Sequence, residues 1–223
     1  MPTAVAQFGP LHRTGIRVDS GIGDGSTISV FYDPMVAKVI SYGSTRRQAA
    51  AVLADALIRT RIHGVHPNRY LLVNVLRHPA FGDGATDTAS YDTHGIETLA
   101  APVAGDQTRE LAAIAAALAD AAHNRNTATV FPGVPSGGRN LASGWQTKIY
   151  EDGTGRTHEV RYRHTRDGVL IDGREDVAVA SAGPTRVVLT VGSVDLPFDV
   201  ARYGRHHQEV FVDSAAGSVR LAA

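Results

Sequence analysis

Three closely spaced glycines in "SGIGDGS" are the first feature of this sequence that could do chemistry. Gly21, Gly23 and Gly25 are spaced like a loop whose backbone amides bind phosphate. Such a loop needs a helix N-terminus directly after it, so that the amides and the helix dipole converge on the anion. The residues that follow, "TISVFY", are β-branched and aromatic and favour a strand. We therefore predict a turn between two strands at Asp24-Gly25 rather than a phosphate site.

Arg17 is the residue of greatest chemical interest in the same stretch. It lies between Ile16 and Val18 on a predicted strand, where a guanidinium is costly to bury unless it meets an anion. The alternative is an edge-strand arginine that is exposed to water or paired with Asp19. The residues by themselves favour that alternative.

The ten histidines do not form a metal site by their spacing. Neither His63 with His66 nor His206 with His207 has a carboxylate or a third histidine at ligand spacing. Adjacent histidines in a strand also point to opposite faces, so surface or turn positions are predicted for these side chains. Ser136 in "GVPSGG" has no recognisable base partner, and no Gly-x-Ser-x-Gly occurs. We predict no metal ligands, no cofactor-binding residues and no hydrolytic nucleophile.

Composition excludes several further classes of protein. The chain has 22 basic and 22 acidic residues, so a general nucleic-acid or membrane-surface partner is not indicated. The absence of cysteine excludes disulfides and thiolate chemistry and is typical of a reducing compartment. No apolar run approaches the roughly 18 residues of a membrane span, and no leader precedes the first strand. A cytoplasmic location and two modest domains are predicted for 223 residues.

The first eighty residues predict strands followed by two helices. Residues 26–42 read as two short strands with a bend at Asp33-Pro34, because proline cannot donate to a ladder. Thr45 and Gln48 have the spacing of a capping box, and Gly64 is the predicted stop of the helix that they open. Its apolar stripe comprises Ala50, Leu53, Ala54, Leu57 and Ile58. A second helical stripe in "HPNRYLLVNVLRHP" ends at a proline.

The rest of the chain predicts a different architecture. Turn formers at 82–105 indicate a domain boundary near residue 100, and Asp106 can open a helix that runs to about His123. The long irregular segment at 130–144 is a candidate docking loop. After Trp145 about eight short strands follow, separated by Asp-Gly hairpin signals. An antiparallel barrel or sandwich is predicted, with the preceding helix filling the mouth of the barrel.

Several ordered motifs carry a family resemblance. They are "GIRVDSGI", "YDPMVAKVISYG", "TRRQAAAVLADAL", "HGVHPNRYLLVNVL" and "HPAFGDGATDT". Over about residues 2–92 the chain resembles the C-terminal region of the biotin carboxylase component of biotin-dependent acyl-CoA carboxylases. Residues 100–223, with "LASGWQ" before the strands, are similar to the domain that joins biotin carboxylase to carboxyltransferase in the propionyl-CoA and 3-methylcrotonyl-CoA types.

The resemblance implies a fold and a division of the chain. The implied class is α+β, with the C-terminal α/β portion of biotin carboxylase followed by a helix and an antiparallel eight-stranded β-barrel. Residues 1–99 form the first domain and 100–223 the second. The implied function is that of an α subunit, which contributes to ATP-dependent carboxylation of biotin by bicarbonate and docks the carboxyltransferase β subunit. Acetyl-, propionyl- and 3-methylcrotonyl-CoA all stay open as substrates.

Arg17 is the one catalytic residue that the resemblance implies. It matches the arginine of the family's "GVR" strand, which faces the biotin and bicarbonate site. A fixed cation there stabilises the enolate-like oxygen that develops on the ureido ring of biotin. Asp33-Pro34, Met35 and Lys38 also match family positions, and for them we predict a structural role, in which the bend and a packed, core-like strand hold the sheet of Arg17. Lys38 is predicted to be a paired edge lysine rather than a catalyst.

Two family features lie outside these residues. The ATP-grasp region would precede Met1, and the biotin-accepting lysine lies in Ala-Met-Lys-Met, whose neighbours are absent at Lys38 and Lys148. Biotin on a separate carrier domain, ATP and Mg²⁺ are therefore expected in a full-length parent, and this fragment is expected to bind none of them and to be inactive. The implied partners are the β subunit, the carrier domain and the rest of the α subunit. The alternative is a non-catalytic interaction or scaffold module.

Overall fold

The protein divides into two compact units, Met1–Val103 and Ala104–Ala223, and each has its own hydrophobic core. A computed structural model describes residues 3–5, 7–9, 14–29, 31, 35–130, 144–204 and 208–223. Four features predicted from the sequence lie outside these ranges: the Asp33-Pro34 bend, most of the candidate docking loop, Ser136 and the His206-His207 pair. In the described part of the chain no helix is both long enough and apolar enough to cross a membrane.

The first unit combines short antiparallel ribbons with helices. Its elements are β1 (Thr3–Ala4), β2 (Gln7–Gly9), β3 (Ile16–Ser20), β4 (Thr27–Ile28), β5 (Ala37–Ser41), α1 (Arg46–Arg59), β6 (Arg61–His63), α2 (Arg69–Arg77), α3 (Pro79–Gly82), α4 (Ser90–His94) and α5 (Ile96–Leu99). The pairs β1–β4, β2–β6 and β3–β5 form separate two-stranded sheets. The two short strands predicted within 26–42 are present as β4 and β5.

The glycine-rich stretch is a turn, as predicted. Gly25 has a φ of 79°, which is the left-handed region that glycine enters most readily. Its N–H donates to the Val5 carbonyl, and the Ser26 N–H donates to the Gly23 carbonyl. Strand β4 follows directly, so no helix N-terminus is available to the glycine amides.

Helix α1 begins as the sequence predicts but ends earlier. Thr45 is the N-cap, and its side chain accepts a hydrogen bond from the Gln48 N–H. The Gln48 side chain accepts from the Ser44 N–H, one residue before the donor that a capping box uses. The helix ends at Arg59, with Thr60 as its C-cap, and so stops before the predicted end at Gly64, because the next residues form β6 and pair with β2. Pairing between strands therefore overrides the local helix signal.

The second unit is one helix with eight strands. Its elements are α6 (Asp106–Thr127), β7 (Gln146–Asp152), β8 (Thr157–Thr165), β9 (Gly168–Ile171), β10 (Val177–Ala182), β11 (Arg186–Val191), β12 (Val194–Tyr203), β13 (Glu209–Ser214) and β14 (Gly217–Ala222). All neighbours in the sheet pair antiparallel, in the order β10-β11-β12-β13-β14-β7-β8-β9. Strands β9 and β10 at the two ends of this order lie in contact, so the barrel is nearly closed.

Helix α6 is buried on every side along its middle turns. Every residue from Leu111 to Ala119 is at most 3% exposed. Nine consecutive residues cover all faces of a helix with 3.6 residues per turn, so one packed neighbour could not bury them. The helix therefore lies inside the barrel, and its core partners include Val187, Leu189 and Leu221. The sequence predicted an apolar stripe on a helix that fills the mouth of the barrel, and the structure shows that helix enclosed on every side along its middle turns.

Candidate functional site

Arg17 lies on the solvent-facing side of the ribbon formed by β3 and β5. Alternate residues of a strand share a face, and Arg17 and Asp19 are both exposed, while Ile16 and Val18 on the other face are half-buried. Arg17 Nε donates to Asp19 Oδ1 at 2.9 Å, and Nη2 donates to Oδ2 at 2.8 Å. The residues by themselves favoured an edge-strand arginine that is exposed to water or paired with Asp19, and the ribbon shows both of these features.

The pair perturbs both groups in the expected directions. The hydrogen bond with Asp19 raises the pKa of Arg17 above its usual range. The hydrogen bond from Arg17 lowers the pKa of Asp19, and the positive charge of Lys38 lowers it further. Asp19 therefore carries its negative charge throughout the physiological range.

The strand β5 corrects the prediction of a core-like framework. Lys38 lies opposite Asp19 and Ile40 lies opposite Arg17 in the register of the ribbon, and both side chains are exposed. Met35, just before the strand, is 63% exposed. The period of two explains this result, because Ala37, Val39 and Ser41 share the half-buried inner face and Val39 packs against the core.

The bidentate pair between Arg17 and Asp19 leaves the Nη1 group of the guanidinium available as a hydrogen-bond donor. Nε and Nη2 are engaged by the carboxylate, whereas Nη1 donates to no described group. A guanidinium nitrogen on a paired, rigid strand is a preorganised donor for an oxygen anion. The ribbon can therefore stabilise negative charge on an oxygen placed beside it.

The histidine candidates are not brought together. His63 on β6 is fully buried, which corrects the prediction of a surface or turn position, and its short strand pairs with β2. Within the described ranges, no group of three or more histidine, aspartate or glutamate side chains could hold a metal ion.

Asp152 is the centre of a buried ionic cluster that the sequence did not reveal. Its side chain is 0% exposed. Oδ1 accepts from the Thr154 N–H at 2.8 Å and the Thr154 hydroxyl at 2.5 Å. Oδ2 lies 2.9 Å from His158 Nε2 and 3.2 Å from Arg109 Nε. The cluster therefore ties the first turns of α6 to the hairpin between β7 and β8.

The pKa of Asp152 is set by opposing effects. Burial alone raises it most, but hydrogen bonds from His158, Thr154 and the Arg156 N–H together outweigh burial and hold the pKa well below its usual range. The sequence signal was the Asp152-Gly153 pair, which predicted only a turn. The turn is present, and the same aspartate also fixes the helix.

A second polar group surrounds Asp120 of α6, whose side chain is 18% exposed. Lys148 Nζ is 2.5 Å from Asp120 Oδ2. Burial and the Asp120 charge raise the pKa of Tyr162 to about 12 and raise that of Tyr150 as well. Burial lowers the pKa of Arg202, which donates to the Pro184 carbonyl at 2.7 Å. These residues lie on four elements far apart in sequence, so periodicity could not connect them.

The raised pKa of Tyr162 makes a prediction about alkaline stability. A tyrosine whose folded-state pKa lies above the unfolded value of about 10 favours the folded state fully below pH 10 and loses that contribution as the pH rises towards 12. We expect the Tyr162→Phe variant to unfold at a higher pH than the unmodified chain in an alkaline titration followed by circular dichroism. Equal midpoints would contradict a buried hydroxyl.

Two family models match the chain in the same order as its two units. Residues 2–93 match the biotin carboxylase C-terminal domain, and residues 107–223 match the BT domain of the methylcrotonyl-CoA carboxylase alpha-subunit. The second match alone covers more than half of the chain.

Curated relatives agree with these matches. The mitochondrial propionyl-CoA carboxylase alpha chain of Homo sapiens is 49% identical over 79 residues, which are 35% of this chain and 11% of the relative. Biotin carboxylase of Halalkalibacterium halodurans is 37% identical over 93 residues, 42% and 21% of the two chains. The mitochondrial methylcrotonoyl-CoA carboxylase subunit alpha of Dictyostelium discoideum is 34% identical over 109 residues, 49% and 16%. The chain thus spans less than a quarter of these relatives.

Solved structures add a weaker likeness. A complete pyruvate carboxylase from Rhizobium etli aligns with a TM-score of 0.44 at 28% identity, over 54% of this chain and 12% of that chain. The first unit combines ribbons with helices, and the second encloses one helix in an eight-stranded barrel. The two family models match these units in the same order, and together they define the class as biotin-dependent carboxylases. The chain belongs to the family of acyl-CoA carboxylase α subunits within that class.

Proposed function

We propose that the first unit supplies Arg17 to the biotin-carboxylation site of an acyl-CoA carboxylase. The observation that carries the proposal is the position of Arg17, which lies on a paired strand inside the biotin carboxylase match, with Nη1 directed to no protein acceptor among the described residues. In the proposed site Nη1 donates to the oxygen of the biotin ureido ring. This donation stabilises the negative charge that develops when the ring loses its proton.

The described residues do not fit ATP and Mg²⁺. They contain no group of side chains that could hold a metal ion, and the glycine turn precedes a strand. When bound in the full-length enzyme, these groups activate bicarbonate, and they would be held by other parts of that enzyme. In this proposal the role of the described residues is to place one cation, the guanidinium of Arg17.

A chimaeric enzyme tests the role of Arg17. Residues 2–93 replace the C-terminal domain of the Halalkalibacterium halodurans biotin carboxylase, and ATP hydrolysis that depends on bicarbonate and free biotin is measured. We expect Arg17→Ala to lower the rate at least about 100-fold, as loss of one preorganised oxyanion donor does. Arg59→Ala is the matched control, because Arg59 also forms an exposed pair with an aspartate, Asp55, in the same unit. Normal turnover by the Arg17→Ala chimaera would refute the proposed role.

We propose that the second unit docks the carboxyltransferase β subunit. The support is the match of residues 107–223 to the BT domain and a mixed surface on the outside of the barrel. Arg163 and Arg161 lie 4.8 Å and 5.7 Å from the ring centre of Trp145, and Ile149 and Leu170 on neighbouring strands are exposed. Aromatic and arginine side chains together are enriched where proteins bind one another.

Size-exclusion chromatography with a propionyl-CoA-type β subunit tests the docking proposal. The full chain is expected to co-elute with the β subunit, and Trp145→Ala is expected to reduce the complex, while Val194→Ala on an exposed strand residue is the control. Absence of a complex with the unmodified chain would contradict docking. A second outcome is that the chain co-elutes with the β subunit while the unmodified chimaera, with Arg17 present, is folded but inactive. That outcome would favour the alternative, a non-catalytic interaction module.

Cellular location is the last element of the proposal. The absence of cysteine supports a cytoplasmic enzyme, whereas relatives from animals are mitochondrial. Fractionation of cells that produce the tagged chain distinguishes the two compartments.

A further inference from the structure

The carboxylate of Asp19 fixes two of the three guanidinium nitrogens of Arg17. The two hydrogen bonds of 2.9 Å and 2.8 Å run in parallel from Nε and Nη2 to the two carboxylate oxygens. This bidentate arrangement defines the plane of the guanidinium as well as its position. A single hydrogen bond would leave the guanidinium free to rotate about that bond.

Stability does not explain this pair. The side chains of Arg17 and Asp19 are 72% and 46% exposed, and exposed ion pairs contribute little to folding because water and salt screen them. The backbone of β3 is already held by its ladder with β5. What the pair changes is the orientation of one side chain on an ordered strand.

The arrangement on the opposite strand supports an orienting role. Lys38 is paired in register with Asp19, and it lies near enough for its charge to act on the carboxylate. Its ammonium group nevertheless forms no ion pair with Asp19 within 4 Å among the described contacts, so the carboxylate is bound to the guanidinium of Arg17 alone. Lys38 thus helps to keep Asp19 charged without competing for its oxygens.

We propose that Asp19 is the positioning residue for Arg17 and directs Nη1 towards the oxygen anion of the bound substrate. The inference depends on the proposed function of Arg17 and adds to it. Asp19 touches neither the biotin ring nor bicarbonate in this arrangement. It acts by holding a flexible cation in one plane before the substrate arrives, and this preorganisation lowers the cost of the reacting geometry.

The first test measures the pair directly in the 223-residue chain. The side-chain Nε–H signal of Arg17 is assigned in a nitrogen–proton correlation spectrum by its loss in Arg17→Lys. Its hydrogen exchange is expected to become about 5-fold to 10-fold faster in Asp19→Asn, because a charge-assisted hydrogen bond is lost. Asp55→Asn is the matched control, since it should affect the Nε–H of Arg59 and leave Arg17 unchanged. Unprotected exchange at Arg17 in the unmodified chain would refute the pair.

The second test measures catalysis in the biotin carboxylase chimaera. Asp19→Asn is expected to lower kcat by about 10-fold to 100-fold, the cost of a misplaced catalytic group, with the KM for ATP unchanged. Asp19→Glu keeps the carboxylate and is expected to recover most of the loss, whereas Asp55→Asn is expected to have no effect. In an Arg17→Ala background, Asp19→Asn is expected to cause no further loss, because the two residues act as one unit.

The outcomes separate this inference from the proposed function. If Arg17→Ala is inactive and Asp19→Asn is as fast as the unmodified chimaera, Arg17 keeps its role and the positioning role of Asp19 is refuted. If both variants are fully active, the proposed function of Arg17 is refuted as well. If the chimaera is inactive, the exchange measurement still decides whether Asp19 fixes the guanidinium.

Discussion

Replacing Asp152 by alanine is expected to lower the free energy of unfolding of the second unit by about 3–5 kcal/mol, the usual cost of removing one partner from a buried ion pair. The variant leaves Arg109 and His158 beside an empty position in a region where the removed side chain was 0% exposed. It also removes the acceptor for the Thr154 and Arg156 N–H groups, so the turn between β7 and β8 loses its internal support.

Urea unfolding of the 223-residue chain, followed by circular dichroism, measures the effect. Asp172→Ala is the matched control, because Asp172 also pairs with an arginine in the barrel but is 41% exposed. Its cost is expected to stay below about 1 kcal/mol. If the two variants lower the free energy of unfolding equally, burial of the Asp152 cluster does not contribute to stability.

The lowered pKa of Asp152 also predicts how this contribution depends on pH. A carboxylate whose folded-state pKa lies below the unfolded value of about 3.9 stabilises the fold fully above that value and loses the contribution as the pH falls through the folded pKa. The difference in stability between the unmodified chain and Asp152→Asn should therefore be constant from pH 7 to about 5 and shrink below about 4. A difference that disappears near neutral pH would contradict the role of the Asp152 carboxylate.

Leu118→Ala is expected to destabilise the barrel by about 2–5 kcal/mol, because a large buried side chain is replaced by a cavity. Leu118 is 1% exposed and belongs to the core that surrounds α6. The neighbouring helix residues are alanines, which cannot extend into the space, and the closed ladder limits movement of the strands. The cost should therefore lie in the upper half of that range.

Thermal and urea unfolding of Leu118→Ala measure this cost. Ile149→Ala is the control, since Ile149 lies on a strand of the same barrel but is 58% exposed. The control is expected to change the free energy of unfolding by less than about 0.5 kcal/mol. A mild effect of Leu118→Ala would mean that the helix does not pack against the strands.

Much of the second unit could be predicted because its signals are local. Alternating residues and Asp-Gly turns predicted eight strands, and all eight are present after Trp145. The same pattern predicted an antiparallel barrel or sandwich, and the family resemblance implied the barrel that is present. The helix was predicted to fill the mouth of the barrel, and it lies inside the barrel. Which strands bury each of its faces could not be predicted, because an alanine-rich helix shows little contrast between its faces and the partner strands are remote in sequence.

The candidate site also has parts that the sequence predicted and parts that it did not. The i,i+2 spacing of Arg17 and Asp19 suggested their pairing, and the structure contains it. The exposure of Met35 was missed, since an apolar run does not show which face of a two-stranded ribbon is covered, whereas Lys38 was predicted at an edge and is exposed. The Asp152 cluster was missed because Arg109 lies on another element, more than forty positions away in the printed sequence.

The sheet order has a consequence for the way the chain folds. Strands β7 to β9 and β10 to β14 are each joined by successive hairpins, but β7 and β14 are neighbours only in space, through the register of Leu221 with Asp152. Pairings distant in sequence form slowly, because the loop entropy is lost before the contact is gained. Helix α6 therefore stays partly exposed until β14 has been synthesised. Pairing of β14 with β7 is expected to limit the folding rate of the barrel.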